Sequence, residues 1–171
     1  MYRMYLFFGL ISILNLTPHS VVAQINNEDT TGAAAFMRWI QTSFTFEKPD
    51  SSFVALEEGN GYTNASINAN IKYISFPQKY SIVKGQFENQ QSKDSTLIID
   101  TFSHHSNGLE AFTVVQEELS PDLARHENFI SLATLVNFGD ITICVIGAYP
   151  KSKDKMLREK FLASSLTIKE Q

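Results

Sequence analysis

The sequence predicts an α+β domain built on an antiparallel sheet with helices packed against it. Two apolar runs of strand length, 129–138 and 141–149, are joined by Gly139-Asp140, and an amphipathic stretch follows them. β-branched and aromatic residues dominate both runs, which is typical of strands. A Gly-x pair lets the first turn position take a positive φ, as a two-residue hairpin requires. The stretch from Phe129 to Leu166 therefore predicts a hairpin followed by a helix.

The second strand of this hairpin is predicted to lie inside the sheet. Both of its faces carry apolar or small residues, as expected of a strand that is covered on both sides. Cys144 lies in this strand and is the only cysteine of the chain, so an intrachain disulfide is excluded. Burial in apolar surroundings raises the pKa of a thiol and makes it inert. We therefore expect Cys144 to be structural.

A helix is predicted after the hairpin. Pro150 ends the strand because it has no N–H to donate, and Ser152 is a candidate N-cap for a helix that runs to about Ser164. The apolar side chains recur at helical spacing and form one stripe, with basic residues mostly off it. The stripe comprises Met156, Leu157, Phe161 and Leu162. A short last strand is predicted at 166–168.

The first half of the chain predicts one more helix and several short strands. Residues 33–40 have helical spacing of apolar side chains and include Trp39, which we expect to pack on the sheet. The composition from Glu57 to Asn70 is rich in Gly, Asn and Ser and predicts a loop, which contains the formal glycosylation sequon Asn64-Ala65-Ser66. Extended segments are predicted at 44–46, 53–56, 71–76 and 80–83, and an antiparallel pair at 96–102 and 111–115.

The first 23 residues predict a secretory signal peptide. Arg3 precedes an apolar segment, 5–14, that is too short to span a bilayer, and Val21-Val-Ala23 forms a cleavage site before Gln24. The alternative is an uncleaved anchor. We expect residues 24–171 to form a single exported domain, located in the periplasm or secreted, with no integral membrane span after cleavage.

The charge of the chain excludes one class of partner. The formal net charge is −4, and it becomes −5 if Arg3 is removed with the signal peptide. Binding of nucleic acid requires clustered positive charge, so no nucleic-acid partner is predicted. Another envelope or secreted protein is the expected partner, and the oligomeric state stays open.

The order of elements from about Leu97 to Lys169 resembles the PsbP-like family, whose fold is shared by the Ran-release factor of nuclear transport. The likeness is carried by the Gly139-Asp140 turn, the Tyr149-Pro150 strand end and the helix that closes on Ser164-Ser-Leu-Thr-Ile168. It implies a sheet sandwiched between an N-terminal and a C-terminal helix, with the Trp39 helix on one side and the Met156 helix on the other. It also implies accessory or binding proteins with no shared catalytic site, and no site residues are carried over.

One cluster of polar residues has chemical interest. Imidazoles and carboxylates bind zinc or copper, and three histidines lie near acidic residues in sequence. The weak metal candidates are His104, His105 and His126, with Glu117, Glu118, Asp122 and Glu127 nearby. Adjacent histidines on a strand would point to opposite faces, however, and no metal or other cofactor is predicted.

These observations leave three functional hypotheses. The leading one is an exported non-catalytic accessory or binding module, since no catalytic signature is present; its binding surface would be a sheet edge or the region from Gly59 to Asn70. The second is a carrier of a small apolar ligand, in which some of the thirteen phenylalanines line a cavity. The third is a metal-dependent hydrolase that uses His104, His105 and His126.

Overall fold

The computed structural model describes residues 36–39, 41–89, 95–120 and 127–171. Nine strands and two helices lie in these ranges: β1 (Phe44–Thr45), β2 (Val54–Ala55), β3 (Gly61–Asn64), β4 (Ala69–Phe76), α1 (Tyr80–Glu88), β5 (Thr96–Ser106), β6 (Leu109–Glu118), β7 (Phe129–Phe138), β8 (Ile141–Pro150), α2 (Asp154–Ser165) and β9 (Lys169–Glu170). Seven strands form one antiparallel sheet in the order β2-β3-β4-β8-β7-β6-β5, and β1 pairs with β9. The predicted α+β class with an antiparallel sheet is confirmed.

The predicted central hairpin is present. β7 and β8 pair from Phe129↔Pro150 to Phe138↔Ile141, and Gly139 in the turn has a φ of 83°. β8 lies between β4 and β7, inside the sheet, and Cys144 is fully buried in it. The predicted pairing of the segments at 96–102 and 111–115 is also confirmed, as β5 and β6.

The two faces of the sheet support separate cores. On the first, which we call face A, buried side chains of the sheet pack with Leu157 and Phe161 of α2. On the second, face B, they pack with Tyr80, Val83 and Phe87 of α1. Helices therefore cover both faces, and the sheet positions α1 and α2 on opposite sides of one layer.

The helix on face B was not predicted. Tyr80-Ser-Ile-Val83 was expected to be extended, and this prediction is wrong: it is the first turn of α1. The buried residues Tyr80, Val83 and Phe87 lie three and four positions apart, which is helical spacing. A window of four residues is too short to reveal that period, so the β-branched and aromatic residues were misleading.

The Trp39 helix does not take the position that the family resemblance implied. Residues 36–39 and 41 are helical, as expected, but Trp39 packs against the face A cluster, the one to which α2 also contributes. Its indole Nε1 donates to Ser75 Oγ at 2.6 Å. The sheet is therefore sandwiched by α1 and α2, and the described N-terminal helical residues lie on the same face as the C-terminal helix.

The end of the chain corrects three details. Ser152 is not the N-cap of α2: it lies in a short 3₁₀ turn, and the N-cap position is Lys153, without a side-chain hydrogen bond. Met156 is 47% exposed, so the buried stripe consists of Leu157, Phe161 and the small residues Ser164 and Ser165. The last strand is β9 at Lys169–Glu170 rather than 166–168.

The predicted loop from Glu57 to Asn70 is largely a hairpin. Gly61 pairs with Lys72 of β4, and a Cβ on Gly61 would lie 2.3 Å from the Ile71 carbonyl oxygen, so glycine is required there. Asn64 caps a 3₁₀ turn with its side chain and is 8% exposed. Tertiary pairing has overridden a composition that is typical of loops.

The predicted signal peptide of residues 1–23 lies outside the described residues. None of the described helices is long and apolar enough to cross a membrane.

Candidate functional site

The sheet has one long free edge. β5 pairs with β6 on one side, and in the described part of the chain no strand pairs with its other side. The opposite edge, β2, is only two residues long. A strand edge exposes unpaired N–H and C=O groups, which proteins usually protect with lysines, prolines, β-bulges or very short strands. β5 has eleven residues and contains neither lysine nor proline.

Apolar side chains accompany this free edge. Leu97 and Ile99 are each 44% exposed, and the pairing register shifts between Ile98 and Asp100, so that Ile99 is the extra residue of a β-bulge. A bulge bends a strand and increases its twist, so it limits strand pairing along the whole edge. The residues on either side of it can still pair with another strand. The edge therefore has the features of a docking site for an extended segment.

The histidines are placed by the β5–β6 hairpin. β5 continues to Ser106, and the turn is Asn107-Gly108, whose φ angles of 51° and 81° are those of a two-residue turn with two positive φ values. His104 is opposite Ala111 and belongs to face A, whereas His105 is opposite Glu110 and belongs to face B. The two imidazoles point away from each other, and His126 lies outside the described residues. Within the described ranges no group of three His, Cys, Asp or Glu side chains could hold a metal ion.

His104 begins a chain of buried hydroxyl groups. Its Nε2 lies 3.1 Å from Thr113 Oγ1, which is 2.9 Å from Thr134 Oγ1. Ser165 Oγ lies 3.1 Å from Thr134 Oγ1 and 2.7 Å from the Leu162 carbonyl oxygen. Burial, with a smaller contribution from His105, lowers the pKa of His104. This series of hydrogen bonds gives a partner to each of three buried hydroxyl groups, those of Thr113, Thr134 and Ser165. It also links β5, β6 and β7 to the end of α2.

The acidic residues near the histidines in sequence serve other contacts. Glu117 is 8% exposed and accepts hydrogen bonds from Asn128 Nδ2 at 2.6 Å and Lys151 Nζ at 2.7 Å, which lower its pKa. Glu127 accepts a bond from the Ser152 backbone N–H at 3.0 Å. Burial raises the pKa of Glu118. Glu117 connects Asn128 to β6, and Glu127 connects the same segment to the 3₁₀ turn after β8. Asp122 lies outside the described residues.

A groove of about 330 Å³ opens on face B between α1 and the β5–β6 hairpin. We call it the hairpin groove. Its helix wall consists of Tyr80, Ser81 and Lys84, and its sheet wall of Ser103, His105 and Glu110, with His104 and Ala111 completing the lining. Sequence reasoning identified only the histidines of this set, because the helical phase of α1 was not recognised. The groove is of the size that takes a small organic ligand.

Tyr80 is the least ordinary residue of the groove. It is 7% exposed, and its hydroxyl makes no hydrogen bond within the described residues. The hydroxyl is not one of the buried polar atoms without a partner, which in the described residues are Asn60 Oδ1 and Gln78 Oε1, so it is open to the groove. Burial, followed by the charges of Glu110 and Glu88, raises the pKa of Tyr80 to about 12. The hydroxyl is therefore protonated at neutral pH.

Two carboxylates, Glu110 and Glu88, act on this hydroxyl, and Lys84 lines the same groove. Lys84 pairs with Glu88 one turn along α1, and its Nζ lies 5.0 Å from the centre of the Phe112 ring. Glu110 accepts a hydrogen bond from Asn137 Nδ2 at 3.2 Å and is otherwise exposed. The start of α1 adds a partial positive charge, because Lys79 at the N-cap position provides no side-chain hydrogen bond to the first turn.

The aromatic residues of the described core are used for packing. Phe161 makes edge-to-face contacts with Tyr149 and Phe53, at ring distances of 5.0 and 5.6 Å, and Phe44 makes one with Phe138 at 5.1 Å. A Cβ on Gly147 would lie 2.2 Å from Phe161 Cδ2, so helix and sheet are in direct contact here. This packing favours the core role of the phenylalanines over the lining of a cavity for an apolar ligand.

Comparison with known proteins adds information about the fold. No protein-family model and no curated protein sequence matches the chain. Among solved structures it is similar to LpqN from Mycobacterium tuberculosis, which is involved in cell envelope biogenesis, with a TM-score of 0.55 and 10% identity over 76% of this chain and 85% of that one. It is also similar to the cyanobacterial PsbP (CyanoP) of Synechocystis, with a TM-score of 0.49 and 10% identity over 75% of this chain and 93% of that one. The likeness to LpqN, at 10% identity, shows the fold alone, and the resemblance to the PsbP-like family holds at that level.

Proposed function

We propose that this protein is an exported, non-catalytic accessory module that binds an extended segment of another envelope or secreted protein along the free edge of β5. The observation that carries the proposal is the combination of an eleven-residue edge strand without lysine or proline and the half-exposed side chains of Leu97 and Ile99. Strand addition would extend the sheet at β5, and the two apolar side chains would be covered by those of the partner.

The chemistry of β5 specifies the kind of segment. Its only acidic residue is Asp100 and its only basic side chains are the two histidines, so an uncharged segment with alternating apolar residues fits best. The predicted signal peptide supports an exported location. So does the fold likeness to LpqN, a protein involved in cell envelope biogenesis.

The proposal is tested by placing lysine on each edge in turn. A photo-crosslinking amino acid at Thr101, which is exposed on β5, reports contact with a partner in the envelope of the native host. Ile99→Lys puts a charge on the β5 edge, and Val54→Lys, at a 63% exposed position of β2, is the matched control on the opposite edge.

We expect one crosslinked protein, identified by mass spectrometry. Its yield should be unchanged in Val54→Lys and at least about tenfold lower in Ile99→Lys, which corresponds to a loss of about 1.4 kcal/mol of binding free energy. Equal crosslinking by both variants would refute docking on this edge. The same experiment gives the N-terminus of the mature protein, expected at Gln24; a chain that keeps residues 1–23 would refute processing by a signal peptidase.

A further inference from the structure

We propose that a second copy of this chain pairs its own β5 antiparallel with the β5 edge, with the two-fold axis at Phe102, and so competes with the protein partner for that edge. The inference rests on the proposed function in one respect, since both require the outer edge of β5 to be open. It adds a regulator of the same site. Three features of β5 support it: the phase of its backbone hydrogen bonds, the order of its side chains and the tautomer of His104.

The first feature is the direction of the backbone groups of β5. In a hairpin with a two-residue turn, the residues that flank the turn exchange backbone hydrogen bonds with each other. Ser106 and Leu109 flank the Asn107-Gly108 turn, so every second residue back along β5 bonds to β6. These residues are Ser106, His104 and Phe102. Thr101 and Ser103 therefore direct their N–H and C=O groups to the outer edge.

The second feature is the self-complementary order of the side chains. When two copies pair about Phe102, each Asp100 lies opposite His104 of the second copy, and the two Phe102 rings lie opposite each other. These are non-hydrogen-bonded pairs, in which opposite side chains are closest. All three residues belong to face A. A two-fold axis at Asp100 or at His104 would instead place like groups opposite each other, so the register about Phe102 is favoured.

The third feature is the tautomer of His104. Ser165 has one hydroxyl proton, which goes to the Leu162 carbonyl oxygen because a carbonyl can only accept. Each hydroxyl earlier in the series must then donate to the next one, so Thr113 accepts from the Nε2–H of His104. Nδ1 is therefore the nitrogen that takes up a proton. Once protonated, it is a donor for Asp100 of the second copy.

This arrangement makes the pairing stronger in acid. Burial, with a smaller contribution from His105, lowers the pKa of His104 in the single chain, whereas an opposite carboxylate would raise it. The side chains that β6, β7 and α2 direct to His104 or to its hydrogen-bonded series are uncharged: Ala111, Thr113, Thr134 and Ser165. Because the dimer holds the proton of His104 more tightly than the single chain, the dimer gains stability as the pH falls.

The paired segment is short. The bulge at Ile99 interrupts the strand, and the two-fold axis then confines regular pairing to residues 100–104 of each copy. A standard interface has about 20–30 residues a side, so this dimer is weak. A protein partner that also covers Leu97 and Ile99 should therefore displace the second copy.

Disulfide crosslinking of the mature protein tests the register. Thr101 of one copy lies opposite Ser103 of the other, and opposite residues are within the Cα distance of about 4.4–6.8 Å that a disulfide needs. Diagonal residues, at about 7–8 Å, are not. With oxidised glutathione as the oxidant, a mixture of Thr101→Cys and Ser103→Cys should give a disulfide dimer, and each variant alone at least about tenfold less. The native Cys144 is buried and should not contribute.

Two results of this experiment would overturn the proposal. One is a mixture that gives no more dimer than the separate variants. The other is an equally strong dimer of Ser103→Cys alone, which would place the two-fold axis at Ser103 and separate Asp100 from His104.

Sedimentation equilibrium tests the role of Asp100. The association constant of the dimer should be at least about fivefold larger at about pH 6 than at about pH 8. Asp100→Asn should remove this difference. Glu159→Gln, which neutralises an exposed carboxylate of α2, is the matched control and should keep it. A parent without the pH difference, or an Asp100→Asn protein that retains it, would refute the pairing of Asp100 with His104.

The two proposals fail separately. A crosslinked envelope protein without the disulfide dimer would refute the second copy as an occupant of the edge and leave the proposed function intact. The disulfide dimer without any crosslinked envelope protein would refute the proposed function and leave the pairing of two copies intact.

Discussion

Replacing Gly147 by alanine should destabilise the protein strongly, because the packing of α2 on the sheet leaves no room for a methyl group. The new Cβ would lie 2.2 Å from Cδ2 and 2.8 Å from Cε2 of Phe161. Carbon atoms in contact are normally about 3.5–4.0 Å apart. The overlap therefore exceeds an ångström, and one of the two elements must move.

Phe161 has no free space to move into. It is 1% exposed, and its ring packs edge to face on Tyr149 and on Phe53, both of which are fully or almost fully buried. Overpacking a native core usually costs about 1–3 kcal/mol, and the overlap here places Gly147→Ala near the upper end, at about 3 kcal/mol. For a domain of this size, that loss corresponds to a Tm lower by about 6–12 °C.

Urea unfolding of the purified mature domain measures this free energy. Gly85→Ala is the matched control: nothing lies within 4 Å of its added Cβ, and Gly85 is in the middle of α1. We expect the control to gain about 0.5–1 kcal/mol through its helix propensity, so the two variants should change stability in opposite directions. In the double variant Gly147→Ala/Phe161→Leu, the smaller side chain should make the combined loss less than the sum of the single losses. A Gly147→Ala protein within about 0.5 kcal/mol of the parent would refute this description of the core.

Three further predictions concern polar and titratable groups. Thr134→Val should lower the free energy of unfolding, measured in urea, by about 1–2 kcal/mol, because it removes the middle hydroxyl of the hydrogen-bonded series from His104 to Ser165. Thr101→Val, at an exposed position of β5, should leave this free energy unchanged. Cys144 should react with a thiol reagent only at the rate of unfolding, since burial raises its pKa and the side chain is fully buried; fast reaction of the native protein would contradict this. The hydrogen bond from Lys160, and next those from Ser52, lower the pKa of Asp50 to about 2. The stability that Asp50 contributes should therefore be present above its unfolded pKa of about 3.8 and be lost as the pH falls to about 2. At pH 7, Asp50→Asn should be less stable than the parent by under about 1 kcal/mol, because the ion pair is half-exposed. At about pH 2 the two proteins should be equally stable.

The parts of the fold that were predicted correctly are those whose signal is local. The β7–β8 hairpin has a strand-length apolar run on each side of Gly139, and the stretch after Pro150 shows a helical repeat, so pairing and helix follow from adjacent residues. The second hairpin had an equally local signal, Asn107-Gly108, which is typical of a two-residue turn with two positive φ values. Its strands were predicted at 96–102 and 111–115, which end and begin several residues from the turn, since polar residues at the end of a strand resemble a turn.

The parts that were missed depend on contacts between distant residues. α1 carries Gly85 and a short apolar repeat, so its helical conformation is stabilised mainly by Val83 and Phe87 packing on face B. Gly61 and Asn64 have loop propensities, yet Gly61 allows β3 to approach β4 closely. The hairpin groove could not be predicted for the same reason: Tyr80 and Glu110 are thirty residues apart, and only the sheet register brings their walls together.

The asymmetry between the two faces connects the fold to the proposed function. Face A is closed by α2, the Trp39 region and β1, and its polar groups form complete chains such as that from His104 to Leu162. Face B is covered in the described residues by the nine residues of α1, which leave the ends of β5 and β6 open beside Tyr80. Satisfied polar groups rigidify a core, whereas an open strand edge can take up a further strand. Binding is therefore expected along β5, and substitutions under α2 should change stability without changing binding.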